Sequence, residues 1–165
     1  MIYNYLQRAC GDVDFLLMRT SVILDKIKTK SIMNPILRNV LAVVAGIFIG
    51  GVVNMAIVSI APLPEGVDPN DIQSIKANIE TYSTGNLILP IIAHALGTLV
   101  GAFAAAKLAA TGHKMLALTV GAFFLLGGIY MVYLIPEAPM WMKTTDVLLA
   151  YIPMSWIGWN LAGSK

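Results

Sequence analysis

The chain has 165 residues, 58% of them apolar and 12% charged, with a formal net charge of +2. An ordinary globular domain carries about 45–50% apolar and about 25% charged residues, so there is too little charge here to cover a water-exposed surface. The single Cys10 excludes an intramolecular disulfide, a cysteine zinc site and a CxxC redox pair, and two histidines, His94 and His113, are too few and too far apart for a metal or haem centre.

In chain order, residues 1–32 come first. Val13, Leu16, Leu17, Thr20, Ile23, Leu24 and Ile27 share one arc of a helix and are joined by Lys26, Lys28 and Lys30. That pattern predicts an interfacial amphipathic helix with a juxtamembrane basic cluster, although Phe15, Met18 and Val22 form a second apolar stripe. The alternative is a start at Met33, with Asn34-Pro35-Ile36-Leu37-Arg38 leading straight into the first span and residues 1–32 an upstream extension. Both readings stand at this point. Charges at Arg8, Asp12, Asp14, Arg19 and Asp25 break up any cleavable signal peptide.

Four apolar segments follow, at 40–61, 87–106, 115–135 and 147–162. The first, at a rise of about 1.5 Å per residue, reaches roughly 33 Å, the thickness of a hydrocarbon core. The second ends at Lys107 and the third at Pro136. The fourth holds Pro153, Trp156, Trp159 and Asn160 and is short enough either to cross or to re-enter. The expectation is an all-α, four-helix membrane bundle with a partly helical acidic outer loop.

That loop, 62–86, reads Asp68-Pro69 as an N-cap with proline at the first helical position. Asp71 then falls in the first turn, and Ile72, Ile75 and Ile79 make one apolar face. Thr84-Gly85-Asn86 would end the helix. The loop's four acids lack a spaced ligand pattern, so a solvated face is expected.

Orientation follows from Lys and Arg. With the first end inside, nine of them (Arg8, Arg19, Lys26, Lys28, Lys30, Arg38, Lys107, Lys114 and Lys165) fall inside and two, Lys76 and Lys143, outside. The positive-inside rule places both termini in the cytoplasm. Trp141, Trp156 and Trp159 fall near the boundaries, as anchors do.

Small residues recur every fourth position as Ala42, Gly46 and Gly50 in span one, continued by Asn54, and as Gly97, Gly101 and Ala105 in span two, one turn after His94. Such faces let two helices pack closely, and they are also possible surfaces for a homo- or hetero-oligomer. Asn54 and His94 lie at matched depth, roughly 10 Å below the outer boundary, where they could meet. Tyr130, Tyr133 and Asp146 could complete a polar cluster in the same half. Intramembrane ionisable residues mark pathways or proton relays; the plainer reading is hydrogen-bond glue between helices. Pro90 and Pro153 each remove a helix hydrogen bond in that half.

No HExxH, no GxSxG, no paired acids within the spans and no phosphate-cradling loop occur, so neither an enzyme nor a cofactor is expected. The basic residues lie only beside the spans, without a nucleic-acid footprint. The lipid bilayer is the expected partner.

The run Ala93-His94-Ala95-Leu96-Gly97-Thr98-Leu99-Val100-Gly101-Ala102-Phe103, with Pro64-Glu65-Gly66-Val67-Asp68 and Asn34-Pro35-Ile36-Leu37-Arg38, resembles a group of small bacterial four-span membrane proteins of unassigned function. The resemblance covers about Met33 to Ala162, leaves 1–32 outside and favours the later start. It implies a bacterial inner membrane and supplies no active residues. The first functional expectation is a structural or accessory membrane protein. The alternative is a small transporter or channel-like protein with a polar site around His94 and Asn54; an enzyme using His94 and Asp146 comes last.

Overall fold

A computed structural model describes residues 18–19, 33–68 and 71–163. The chain divides into two units, 1–34 and 35–165. The expectations for residues 1–32, Met18 and Arg19 apart, lie outside the described residues. The second unit is helical throughout, with α1 at Pro35–Ser59, α2 at Ile72–Asn78, α3 at Thr84–Leu108, α4 at His113–Leu134, α5 at Met140–Leu149 and α6 at Ile152–Ala162. Helices α1, α3 and α4 are each long and apolar enough to cross a membrane. Among the described residues the protein is therefore all-helical, with three candidate membrane-spanning helices.

The outward faces are apolar and compatible with contact to lipid. Phe48 and Leu126 are 71% and 68% exposed, with Val44, Val52, Met115 and Leu148 similarly open. The buried core is correspondingly made of small residues, among them Ala42, Ala93, Ala102, Ala105, Ala106 and Ala117. Without a hydrophobic drive between helices in lipid, close packing of small side chains is what joins them.

The α1–α3 seam is antiparallel and backbone to backbone. A Cβ at Gly50 would lie 2.5 Å from the Gly97 carbonyl oxygen, and one at Gly46 would lie 2.6 Å from that of Gly101. Only glycine fits these positions, as the fourfold spacing predicts. The seam is closed at one end by side chains: Arg38 Nε donates to the Leu108 carbonyl at 2.9 Å, and Asn39 Oδ1 accepts from the Ala110 amide at 2.8 Å.

The loop between α1 and α3 differs from its expected form at both ends of its helix. The N-cap is Asp71, not Asp68, because the Asp71 carboxylate accepts from the Gln73 amide; the Asp68 amide instead donates to Ser74 Oγ at 3.0 Å. Thr84-Gly85-Asn86 do not end α2. A 3-10 turn, Ile79–Thr81, does, and Thr84 opens α3 under a capping box of Ser83 and Asn86. The isoleucine spacing allowed a face laid on the membrane or on the bundle; Ile79 packs on the bundle, forming a small core with Leu87 and Ala138 that Ile75 joins.

The segment expected as one fourth span, 147–162, is two helices. α5 starts earlier, at Met140, and the chain breaks at Ala150 and Tyr151 before α6. Pro153, without an N–H, takes a place in the first turn of α6 where none is needed. α6 docks through glycines: a Cβ at Gly158 would lie 2.5 Å from the Leu99 carbonyl oxygen, and Gly121 and Gly128 on α4 leave the space filled by Ser155 and Tyr151. α5 begins beside Ala138, close to the Ile79–Leu87 core. α6 ends at Ala162 against Ala102, Ala106 and Ala117, toward the Asn39 end of the bundle.

Candidate functional site

The helix break brings one acid, one imidazole and one phenol together. Asp146, on the last turns of α5, is 6% exposed, and Tyr151, in the break itself, is 2% exposed. His94 lies on α3, about 15 Å along the axis from Thr84. His94 Nδ1 is 2.8 Å from Asp146 Oδ1, and the Tyr151 hydroxyl donates to Asp146 Oδ2 at 2.7 Å. The phenol oxygen is also 3.1 Å from His94 Nδ1, and the two rings are tilted 30° with centroids 5.8 Å apart.

The donors and acceptors decide the proton positions. With Asp146 ionised, both its oxygens accept, so Nδ1 carries a hydrogen and donates to Oδ1, while the phenol gives its only hydrogen to Oδ2. The remaining ring nitrogen of His94, Nε2, has no protein partner among the described residues. When it is bare the cluster carries a net negative charge inside the bundle. Burial of a charge is costly unless it is paired and hydrogen-bonded, and here both Asp146 oxygens are engaged, by His94 and by Tyr151.

Two cavities meet at His94. One of about 260 Å³, bordered by Leu63, Tyr82, Asn86, Pro90, His94 and Asp146, lies toward the loop end. Burial raises the Tyr82 phenol above its ordinary value at this cavity's margin. The other, about 280 Å³, is bordered by Asn54, His94, Thr98, Phe124, Tyr130 and Tyr151. Lys143, one turn before Asp146, also lines the first cavity, but its ammonium donates to the Pro136 carbonyl at 2.8 Å.

The expected cluster of Asn54, His94, Tyr130, Tyr133 and Asp146 is thus rearranged. His94 and Asp146 pair directly. Asn54 shares the second cavity with His94 but has no hydrogen bond to it, and its Oδ1 is buried without a partner. Tyr130 stands only at that cavity's edge, 60% exposed, and Tyr133, 80% exposed, turns outward. Tyr151 was missed. Its signal was its place five residues after Asp146 and two before Pro153, which only a break there turns toward the acid. His113 serves elsewhere, its Nδ1 donating to the Ala106 carbonyl at 2.8 Å to close the α3–α4 turn. Among the described residues no three His, Cys, Asp or Glu side chains gather as metal ligands would.

Compared with known protein families, curated proteins and solved structures, the chain gives no match.

Proposed function

We propose that this chain is a small transport protein of the bacterial inner membrane, crossing it four times with both termini in the cytoplasm, in which Asp146, His94 and Tyr151 bind and release a proton linked to passage of a solute. The observation that carries the reading is the pairing of buried Asp146 with half-buried His94 at a helix break, with two cavities bordering His94. Discontinuous helices place ion and substrate sites in many transporters, and intramembrane acids paired with histidine serve as proton relays. α5 and α6 together supply the fourth crossing, since they run from the Ala138 end of the bundle to the Ala106 and Ala117 end. The Lys and Arg count supports the orientation.

A structural or accessory role is the second reading, favoured by the close glycine seam between α1 and α3. In that role the cluster is a fastening between helices and its proton content stays fixed. Proteoliposomes holding a pH gradient and an entrapped pH-sensitive dye separate the two. The wild-type protein is expected to dissipate the gradient faster than empty vesicles. Asp146→Asn, which keeps the shape but removes the charge and turns one of the two acceptors into a donor, should match empty vesicles while retaining its helicity and elution volume. A wild-type protein no leakier than empty vesicles would return the cluster to the fastening role.

A further inference from the structure

The end of the bundle away from the loop is basic and carries an open groove. Arg38 near the start of α1, Lys107 near the end of α3 and Lys114 at the start of α4 lie there, and no acid among the described residues does. The groove, of about 650 Å³, runs over the first three turns of α4 between Lys114, Met115, Leu118 and Ala122 on one side and Trp159 of α6 on the other. Thr119 and His113 also border it, but the Thr119 hydroxyl donates to the Met115 carbonyl at 2.9 Å and His113 Nδ1 is bonded to the Ala106 carbonyl. The wall is therefore apolar, and Lys114 supplies its charge. Met115 is 74% exposed, so the groove opens on the outside of the bundle. Trp159 is held from behind by the core of Ala102, Ala106, Ala117 and Ala162. Lys114 Nζ stands 5.2 Å from the centroid of that fixed ring, a cation–π distance, which keeps the ammonium at the head of the groove.

We infer that this groove seats one acyl chain of an anionic phospholipid, with the lipid phosphate paired to the Lys114 ammonium. The apolar wall calls for a chain, and a basic end without acids calls for an anion; an anionic lipid brings both on one molecule. A zwitterionic lipid would bring a second cation to an end that already holds three. A soluble anion would leave the wall against Leu118 and Ala122 unfilled. The depth is also right: tryptophan rings collect at the headgroup boundary, and a lysine beside one reaches outward to the phosphates. Basic residues next to a span attract anionic lipids in this way, and the groove turns that general attraction into a seat at one position. Proton movement at Asp146 plays no part, so the lipid site stands or falls independently of the transport reading.

The test uses Trp159 as its own reporter. The chain has three tryptophans, and the other two, Trp141 and Trp156, are about half exposed, so Trp141→Phe with Trp156→Phe leaves a single indole at the groove. The full chain carrying both changes is placed in phosphatidylcholine vesicles doped with dibrominated phosphatidylglycerol or, at the same mole fraction, with dibrominated phosphatidylcholine. Bromine quenches an indole on contact. The anionic lipid should quench Trp159 as though enriched about fivefold over the zwitterionic one, the preference expected from one lysine at the membrane surface. Lys114→Gln, at an exposed position, should abolish most of that preference. Lys107→Gln, which removes the same charge from the same end but not from the groove, should keep most of it. Ala122→Phe fills the groove from its open side and should lower quenching by the anionic lipid. Equal quenching by the two lipids overturns the site. Equal losses from Lys114→Gln and Lys107→Gln would show a diffuse attraction and overturn it too, and quenching that survives Ala122→Phe unchanged would remove the acyl seat.

Discussion

The two sides of α3 are held by opposite means. Toward α1, side chains are mostly removed: Gly97 and Gly101 face Gly50 and Gly46 backbone to backbone, with Asn54 beside Gly97 and with Arg38 and Asn39 bonding to the far end of the seam. Toward α5 and α6, side chains are added: His94 reaches a carboxylate and a phenol across a break in the chain, and cavities remain beside them. A seam of close backbone contacts has little to rearrange and suits a fixed frame. On the transport reading, the side held by charge is the one that changes with occupancy, so the two sides of a single helix would divide frame from response.

The largest expected effect comes from leaving the acid unpaired. His94→Leu leaves Asp146 buried with only the Tyr151 hydroxyl, and breaking a buried pair this way costs about 3–5 kcal/mol. Asp146→Leu in the same chain should restore part of that loss, because removing both partners leaves no orphaned charge. Reversible unfolding in mixed detergent micelles measures both. Strict additivity of the two substitutions would show that the pair is not coupled and would dissolve the contrast between the two sides.

A smaller effect is expected on the rigid side. Gly50→Leu should destabilise by about 1–3 kcal/mol, since its side chain must displace the Gly97 carbonyl or the Phe124 ring. Gly51, one position on, has open space where a Cβ would go, so Gly51→Leu should stay within about 0.5 kcal/mol of wild type. Equal effects in the same unfolding assay would mean that the seam does not depend on its glycines.

Tyr151→Phe should be the mildest. It removes one interhelical hydrogen bond, worth about 0.6–1.7 kcal/mol in membrane proteins, and keeps the ring in the space left by Gly128. On the transport reading it should nevertheless alter the rate of gradient collapse in vesicles, because the phenol donates directly to the Asp146 carboxylate. A variant that loses stability but transports protons at the wild-type rate would place Tyr151 with the frame.

This contrast also explains what could be read from the sequence. The α1–α3 seam was legible because its signal is local and periodic: small residues every fourth position, within two uninterrupted apolar runs. The responsive side depends on contacts across 52 and 57 positions, from His94 to Asp146 and to Tyr151, and no period carries that. Depth alone pointed His94 toward Asn54, which does lie beside the same cavity. It could not reveal that Asp146, outside the expected fourth span, belongs to a helix starting at Met140. Pro153 was noticed as a perturbation of one helix, whereas it sits in the first turn of a new one. In the loop, Asp68 and Asp71 both had capping chemistry, and only the position of the Gln73 amide decided between them.

The break between α5 and α6 has a further consequence, for how the protein is made. α1, α3 and α4 each have the length and apolarity to enter a bilayer on their own. Neither half of the α5–α6 pair does, and one half carries a carboxylate. On the four-crossing reading, this pair enters the membrane last, against a surface that its predecessors have already assembled, with Gly121 and Gly128 waiting for Ser155 and Tyr151 and the Leu99 carbonyl for Gly158. On that reading His94, which pairs with Asp146 in the finished fold, would shield the acid from lipid as it arrives. On the same reading, insertion of the last segment would fail whenever the groove left by Gly121 and Gly128 was blocked.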